Sequence, residues 1–338
     1  NFIYLSYICN LFMNYIIDVE NLKKVYQGNI EALKGINLKI KKGEIYGFLG
    51  PNGAGKTTTI KILTTIIKPT SGTVYVSGYH IIKEQEKVRK IIGLVPQDLT
   101  VDDDLTGLEN LILQASFYNI KKEEAKKKAL ELLELVDLKE AANRLVSTYS
   151  GGMRKRLDLI VGLIHDPDIL FLDEPTLGLD VQTRTKMWEY IELLRKEYEK
   201  TIFLTTHYLE EAEKLCDRIG IIDHGKILVE GTPDELKSSV EFDIVELEID
   251  NVNDAIKLLE EFSPEIKQNK ILIKIKDSEK NILPIIKILN NKNINIKRIH
   301  IEKPSLNSVF LKYTGREMRE GETEEDILRT MRSIRRAR

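Results

Sequence analysis

The sequence predicts an α/β protein: a mostly parallel sheet carrying a Gly-rich loop, followed by a smaller α/β unit. Three observations predict it. The apolar run Ile45-Tyr46-Gly47-Phe48-Leu49 feeds into Gly50-Pro51-Asn52-Gly53-Ala54-Gly55-Lys56-Thr57-Thr58, and a helix-periodic stretch continues to Ile67. Apolar strand-like segments return after Ile169 and alternate with helical ones, the pattern of a parallel sheet. At 338 residues the chain exceeds one typical core.

Taken in order, Asn1 to Ile17 carry no charge. The run falls short of the roughly twenty apolar residues of a membrane helix and lacks the basic start of a secretory signal. Asn1–Phe12 reads as an upstream extension in preference to a peripheral membrane anchor, with the protein proper starting at Met13 and residues 1–14 expected outside the fold. Residues 15–98 read mostly as strands around one helix: Tyr15 to Val19, the period-two run Ile36 to Ile40, Thr73 to Val76, and Ile91 to Val95. Pro69-Thr70-Ser71-Gly72 ends the helix after the Gly-rich loop.

From about residue 100 to 150 the pattern turns helical. Thr106 and Glu109 form a capping box ahead of Leu108, Leu111, Ile112 and Ala115. Lys121 to Val136 carries an apolar stripe, with Glu124 and Lys128 spaced to pair. Strands Ile169–Leu172, Thr201–Leu204 and Ile219–Ile222 follow, separated by helices over Thr183–Glu197 and Leu209–Cys216. Asp223-His224-Gly225-Lys226 reads as a hairpin turn. The first unit is thus expected over 15–236, with a boundary near Leu236 to Val240.

Beyond it, strand 242–249, helix 252–261, strand 271–276, helix 279–289, strand 294–301 and a closing helix over Pro304–Tyr313 suffice for a second unit, 240–314. The tail, 315–338, is acidic and then Arg-rich. It reads either as a solvated tail or as an amphipathic helix with Thr323 as N-cap and Ile327, Leu328, Met331 and Ile334 along one face.

The Gly-rich loop defines the chemistry. Between strand and helix, glycines let several N–H groups converge on one anion, and the helix N-terminus adds partial positive charge. Lys56 then reaches terminal phosphates and the Thr57 hydroxyl can ligate Mg²⁺. The chain is expected to bind a nucleoside triphosphate. Strand Ile169–Leu172 runs into Asp173 and Glu174; Asp173 is placed to hold Mg²⁺, and Glu174 to deprotonate an attacking water. Ser150-Gly151-Gly152, opening a basic helix, makes a second phosphate cradle, which one nucleotide does not need. Its economical use is to cap the nucleotide of another copy. Gln97 follows a strand, where its amide can touch Mg²⁺ or water. His207 ends the buried run Thr201–Thr206 and is placed to meet the γ-phosphate. Tyr26 either stacks on adenine or is an ordinary core tyrosine.

This set resembles the ATP-binding cassette (ABC) family over about residues 15 to 235. In that family's terms, residues 50–58 are the Walker A loop, Gln97 the Q-loop, Tyr149–Met153 the signature and Ile169–Glu174 the Walker B strand. Leu177–Asp180 is the D-loop, His207 the switch histidine, and Tyr26 matches the A-loop aromatic. The signature carries Tyr149 and Met153 where the family commonly has Leu and Gln. The resemblance implies a P-loop NTPase with a RecA-like core, a β subdomain and a helical insert. It also implies ATP and Mg²⁺ as ligands, a second ATPase subunit completing each site through Ser150, Gly151, Gly152 and Asp180, and a separate membrane permease. Tyr-Ser-Gly-Gly-Met-Arg-Lys-Arg-Leu-Asp, with Pro304–Leu311 and Thr314-Gly315-Arg316-Glu317, resembles the daunorubicin-resistance-type ATPases of ABC-2 exporters.

Composition weighs against the rivals. Lys plus Arg number 51 against 53 Asp plus Glu, so net charge gives no argument for nucleic acid. A soluble ABC protein acting on nucleic acid or ribosomes would usually bring tandem cassettes or basic extensions. A GTPase switch does not explain Ser150-Gly151-Gly152, and an inactive cassette does not explain the joint presence of Lys56, Asp173, Glu174 and His207. Cys9 and Cys216 alone make no disulfide framework, which fits the cytoplasmic face of the cell membrane.

Overall fold

The computed structural model describes residues 15–267, 270–292 and 294–316. The expected N-terminal extension and the amphipathic helix of the tail lie outside the described residues.

The first compact unit extends to Pro233. Its strands are β1 (Tyr15–Tyr26), β2 (Ile30–Lys41), β3 (Ile45–Leu49), β4 (Ser71–Val76), β5 (Tyr79–His80), β6 (Ile92–Val95), β7 (Ile169–Asp173), β8 (Thr201–Thr206), β9 (Arg218–Asp223) and β10 (Lys226–Gly231). Its helices include α1 (Lys56–Leu63), α2 (Gln85–Ile91), α3 (Gly107–Phe117), α4 (Lys122–Leu135), α5 (Gly151–Val161), α6 (Val181–Lys196) and α7 (Leu209–Leu215).

The strands form two sheets, a four-stranded one in the order β2-β1-β4-β5 and a six-stranded one in the order β10-β9-β3-β8-β7-β6. Neighbours in the larger sheet run parallel except β9 and β10, which form the expected hairpin. Strands β3, β7 and β8 are buried along their whole length, which is why they read as continuous apolar runs rather than alternating ones. Phe203 stands at their centre, with the rings of Tyr46, Phe48 and Phe171 at 5.6–5.8 Å centroid distance.

Parallel pairing has one consequence for function. β3 ends just before Gly50, β7 at Asp173 and β8 beside His207, while β6 ends two residues before Gln97, all on the same edge of the sheet. In the helical segment, Thr106 and Glu109 make the capping box that their spacing predicts, and Lys128 pairs with Glu124 at 3.4 Å.

Two local features of the first unit differ from expectation. β1 continues to Tyr26 through a bulged stretch in which Asn21 takes φ +48°, so its alternation is broken after Val19. Ile91 closes the short helix α2 instead of opening β6. The second unit, from Asp234 onward, adds β11 (Asp243–Ile249), β12 (Glu265–Lys267), β13 (Lys270–Ile275) and β14 (Ile296–Glu302), ordered β12-β13-β11-β14. Every neighbouring pair there is antiparallel, and Val245, Leu247, Ile271 and Ile273 face helical residues Ala255, Ile285 and Leu289 in a core of their own.

Candidate active site

The Gly-rich loop is held by close backbone approach. A Cβ on Gly50 would lie 2.3 Å from the Ile222 carbonyl oxygen, so only glycine lets the loop start this close to β9. Gly55 takes φ +113° as it opens α1. The chain thereby turns Lys56 back over its own loop. Its Nζ donates to the carbonyls of Gly50 at 2.6 Å and Pro51 at 3.2 Å, and pairs with Glu174 Oε1 at 3.0 Å. Both side chains are about 5% exposed, and a charge so buried persists only when paired.

The end of β7 is organised from β8. Asp173 stands opposite Thr205 in the sheet register, and its Oδ1 accepts the Thr205 hydroxyl at 2.6 Å and the Thr57 hydroxyl at 3.3 Å. Burial nevertheless pushes the Asp173 carboxyl above its ordinary range, and the charge of Glu174 adds to that. Glu174 adopts φ +52°, a left-handed conformation that strains a non-glycine residue by about 1–3 kcal/mol. Two bonds from its N–H hold it there, to the carbonyl and the hydroxyl of Thr205, each at 3.1 Å. The turn aims its carboxylate at His207, whose Nδ1–H donates to Oε2 at 2.6 Å. Burial disfavours the charged carboxylate, but the His207 bond and the Lys56 charge outweigh it and hold Glu174 below the usual range. Glu174 is therefore an ionised carboxylate poised between two donors.

Lys56, Thr57, Glu174 and His207 line one cleft of about 590 Å³, and Asp173, bonded to Thr57, is not among its lining residues. Pro51, Asn52, Gly53, Gly55, Lys56, Thr57, Thr58, Gln97, Glu174 and His207 face it, with Leu177 and Gly178 at its margin. Gly50 and Ala54 shape the loop from behind: the carbonyl of Ala54 accepts the N–H of Gly225 in the β9–β10 turn at 3.0 Å. Tyr26 flanks the loop, 40% exposed as a residue, with its hydroxyl 3.4 Å from the Thr58 Oγ1. Tyr26 is therefore not a core tyrosine.

Ser150, Gly151, Gly152 and Asp180 stand apart from this cleft. Ser150 caps α5 by accepting the Met153 N–H at 3.2 Å, which leaves its hydroxyl proton available to donate. The first N–H groups of the helix have no intrahelical acceptor. Tyr149 is buried and donates to the Ala141 carbonyl at 2.7 Å, anchoring the approach to the cradle in the helical segment. Asp180 caps α6, accepting the N–H and hydroxyl of Thr183 at 3.0 and 2.7 Å.

Sequence reading missed the groups that brace the site. Thr205, which positions Asp173, is one. Lys155 is another: its buried ammonium donates to the Gln97 carbonyl at 2.6 Å. One turn on, Asp158 Oδ1 accepts the N–H and hydroxyl of Thr100 at 3.1 and 2.5 Å. The cradle helix thus grips the segment that begins at Gln97. A charge within the apolar run Leu157 to Ile160 was the available clue.

Comparison with known proteins fits this geometry. A family profile described as ABC transporter matches residues 33–177, and that of the C-terminal domain of DrrA1-3-like ATP-binding proteins matches residues 231–314. The linearmycin resistance ATP-binding protein LnrL of Bacillus subtilis (strain 168) is 38% identical over 312 residues, covering 90% of this chain and 100% of LnrL. The chain belongs to the ATP-binding proteins of ABC transporters. Within that family, the daunorubicin/doxorubicin resistance ATP-binding protein DrrA of Streptomyces peucetius is 37% identical, over 91% of this chain and 95% of that protein. The cassette MJ0796, solved as a post-hydrolysis dimer bound to ADP and Pi, is 33% identical with a TM-score of 0.59. The match covers 64% of this chain and 98% of that one. The cassette described above is accordingly an ATPase of the transporter type, and the second unit is of the DrrA-like kind.

Proposed function

We propose that this chain powers an exporter as one of two identical cassettes, each hydrolysing ATP at the cytoplasmic face of the membrane against a separate permease. The observation that carries the reading is the division of labour on one chain. A charged cleft holds Lys56, Glu174 and His207 together, while the Ser150 cradle stands outside it.

In this reading the backbone of residues 50–58 and Lys56 hold the β- and γ-phosphates, and Tyr26 stacks on adenine. Binding draws Lys56 from Glu174 to phosphate, leaving that carboxylate to its other donor, His207. Glu174 then accepts a proton from water as the water oxygen attacks the γ-phosphorus. The bond to the β–γ bridging oxygen breaks, and ADP and phosphate leave. His207 orients Glu174 through Nδ1 and uses Nε2 toward the γ-phosphate. Ser150, Gly151 and Gly152 close on the ATP of the second copy, with Asp180 crossing at the same seam.

The donor set suits Mg²⁺. Thr57 Oγ1 and Asp173 Oδ1 lie 3.3 Å apart, and the Gln97 side chain offers a further oxygen on the same cleft. All are hard oxygen donors, as Mg²⁺ prefers. Among the described residues no three acidic, His or Cys side chains gather into a cage; a cation shared with substrate phosphates does not require one. When bound, Mg²⁺ would neutralise charge developing on the phosphates.

Glu174→Gln tests the reading. Hydrolysis should fall at least ~100-fold, the usual contribution of a general base, while ATP still binds. With the closed state prolonged, gel filtration in ATP should show a dimer. Turnover at the parent rate would remove Glu174 from the chemistry, and a persistent monomer would remove the two-cassette site.

A further inference from the structure

One carboxyl behind the cleft is left without a role by the chemistry above. Glu211, in the first turn of α7 and four residues after His207, is fully buried. Its Oε1 accepts the Thr176 hydroxyl at 2.7 Å and the Trp188 indole N–H at 2.9 Å. The two donors come from different elements. Thr176 belongs to the loop joining Glu174 to Asp180, whose Leu177 and Gly178 border the cleft. Trp188 lies two turns into α6, the helix that Asp180 caps.

Helix α6 touches the same region twice more. The Arg184 guanidinium lies 4.3 Å over the ring of Tyr208, the residue next to His207. A Cβ on Gly152 of the cradle would come within 2.6 Å of Thr183 Cγ2, so Gly152 packs against the start of this helix. Arg184 and Trp188 are one turn apart on α6, while Tyr208 and Glu211 are spaced by a turn around the start of α7. Burial raises the Glu211 carboxyl above its ordinary range, with Glu174 adding to the effect, so the fold retains a group whose charge it disfavours.

We propose that Glu211 is a positioning residue. Through Thr176 and Trp188 it fastens the loop after Glu174, helix α6 and the helix behind His207 into one unit. The Glu174–His207 pair then keeps its alignment while the loop and the neighbouring cradle engage the second nucleotide. The inference rests on the roles given to Glu174 and His207 above. A purely structural tether would cost stability alone; a positioning one lowers turnover without weakening ATP binding.

The chain has one tryptophan, so ¹⁵N-labelled full-length protein gives one indole N–H resonance, and it reports this tether. Thr176→Val removes a donor at nearly constant volume. It should lower kcat about 10-fold, within what a small misplacement costs, with KM for Mg-ATP held within about twofold. It should also shift the indole resonance and abolish that resonance's response to Mg-ATP. Glu211→Gln keeps the accepting oxygen, and should retain the hydrogen-bonded indole position and kcat within about threefold of the parent. A Thr176→Val protein with parental kcat and only a lowered Tm would overturn the proposal, as would an indole resonance unmoved by Mg-ATP in the parent chain. These readings are separable from the role of Glu174, because the indole response to binding does not depend on turnover.

Discussion

The two anion cradles of this chain are built in opposite ways. Around residues 50–58 stand Lys56, Asp173, Glu174 and His207, each no more than 8% exposed. Around Ser150–Gly152 the chain is exposed at Ser150 and Gly151, and charged side chains that follow turn back into the chain. Arg154 binds Asp103 and the Ser147 carbonyl, and Lys155 the Gln97 carbonyl. In the function proposed above, the first cradle has the groups to transform a phosphate, and the second those to recognise one. Chemistry needs buried, mutually tuned charges, whereas recognition across a seam needs exposed dipoles that cost little to leave in water. That difference is what the proposed two-copy site requires of its two halves.

The sharpest way to break the comparison is to remove the cation from the first cradle. Lys56→Ala should abolish tight Mg-ATP binding and lower hydrolysis by at least ~100-fold, since phosphoryl transfer relies on positioning and charge stabilisation. The same change strands Glu174 in a buried site without its ion pair, so the Glu174 carboxyl should titrate at higher pH than in the parent. Binding and turnover close to normal would mean that the loop is not the phosphate site.

The second cradle is sharpened by its two glycines, which differ in surroundings. A Cβ on Gly151 would meet nothing within 4 Å, whereas one on Gly152 meets Thr183 at 2.6 Å. Gly151→Ala should therefore leave Tm unchanged to within about 2 °C, yet intrude on a phosphate brought by a second copy. It should reduce ATPase activity about 10-fold, with ATP binding to the monomer intact. Gly152→Ala should lower Tm as well, because Thr183 is β-branched and cannot easily swing aside. Equal loss of stability in both variants would show that the glycines serve packing alone.

What could be read from the sequence follows from how local each feature is. Residues 50–58 are contiguous, and the glycines, Lys and Thr announce their chemistry in one window. The pair Asp173–Glu174 stands at the end of an unbroken apolar run, which also marks the strand. Thr205 was not legible as a partner of Asp173, because 32 residues separate them and only the parallel register of β7 and β8 joins them. Lys155 and Asp158 lie 58 residues from the backbone groups they hold. The short helix α2 buries only Val88 and β12 buries nothing, so neither leaves a hydrophobic period to detect. In the second unit, alternating strands and helices revealed the order of elements but not the antiparallel direction in which the strands pair.

The smallest effect expected concerns the helix that joins the cradles. Asp158 is 1% exposed and its Oδ2 lacks a hydrogen-bond partner, while Thr100 supplies both bonds to Oδ1. Burial raises its carboxyl above the ordinary range, against those two bonds and the Lys155 charge. A raised folded-state pKa means that the folded protein holds this proton to higher pH than the unfolded chain does. Stability then falls as pH rises from about 4, the ordinary Asp value, through the folded pKa. Asp158→Asn keeps the accepting oxygen and removes the charge, so the variant should have the higher Tm at pH 7 by a few degrees at most. The difference should close as pH falls toward about 4, where the parent is protonated too. Thermal unfolding of both proteins across that range measures it. A variant less stable at pH 7 would show that the Lys155–Asp158 attraction outweighs burial, and that the cradle helix is tied to the Gln97 segment by charge as well as by hydrogen bonds.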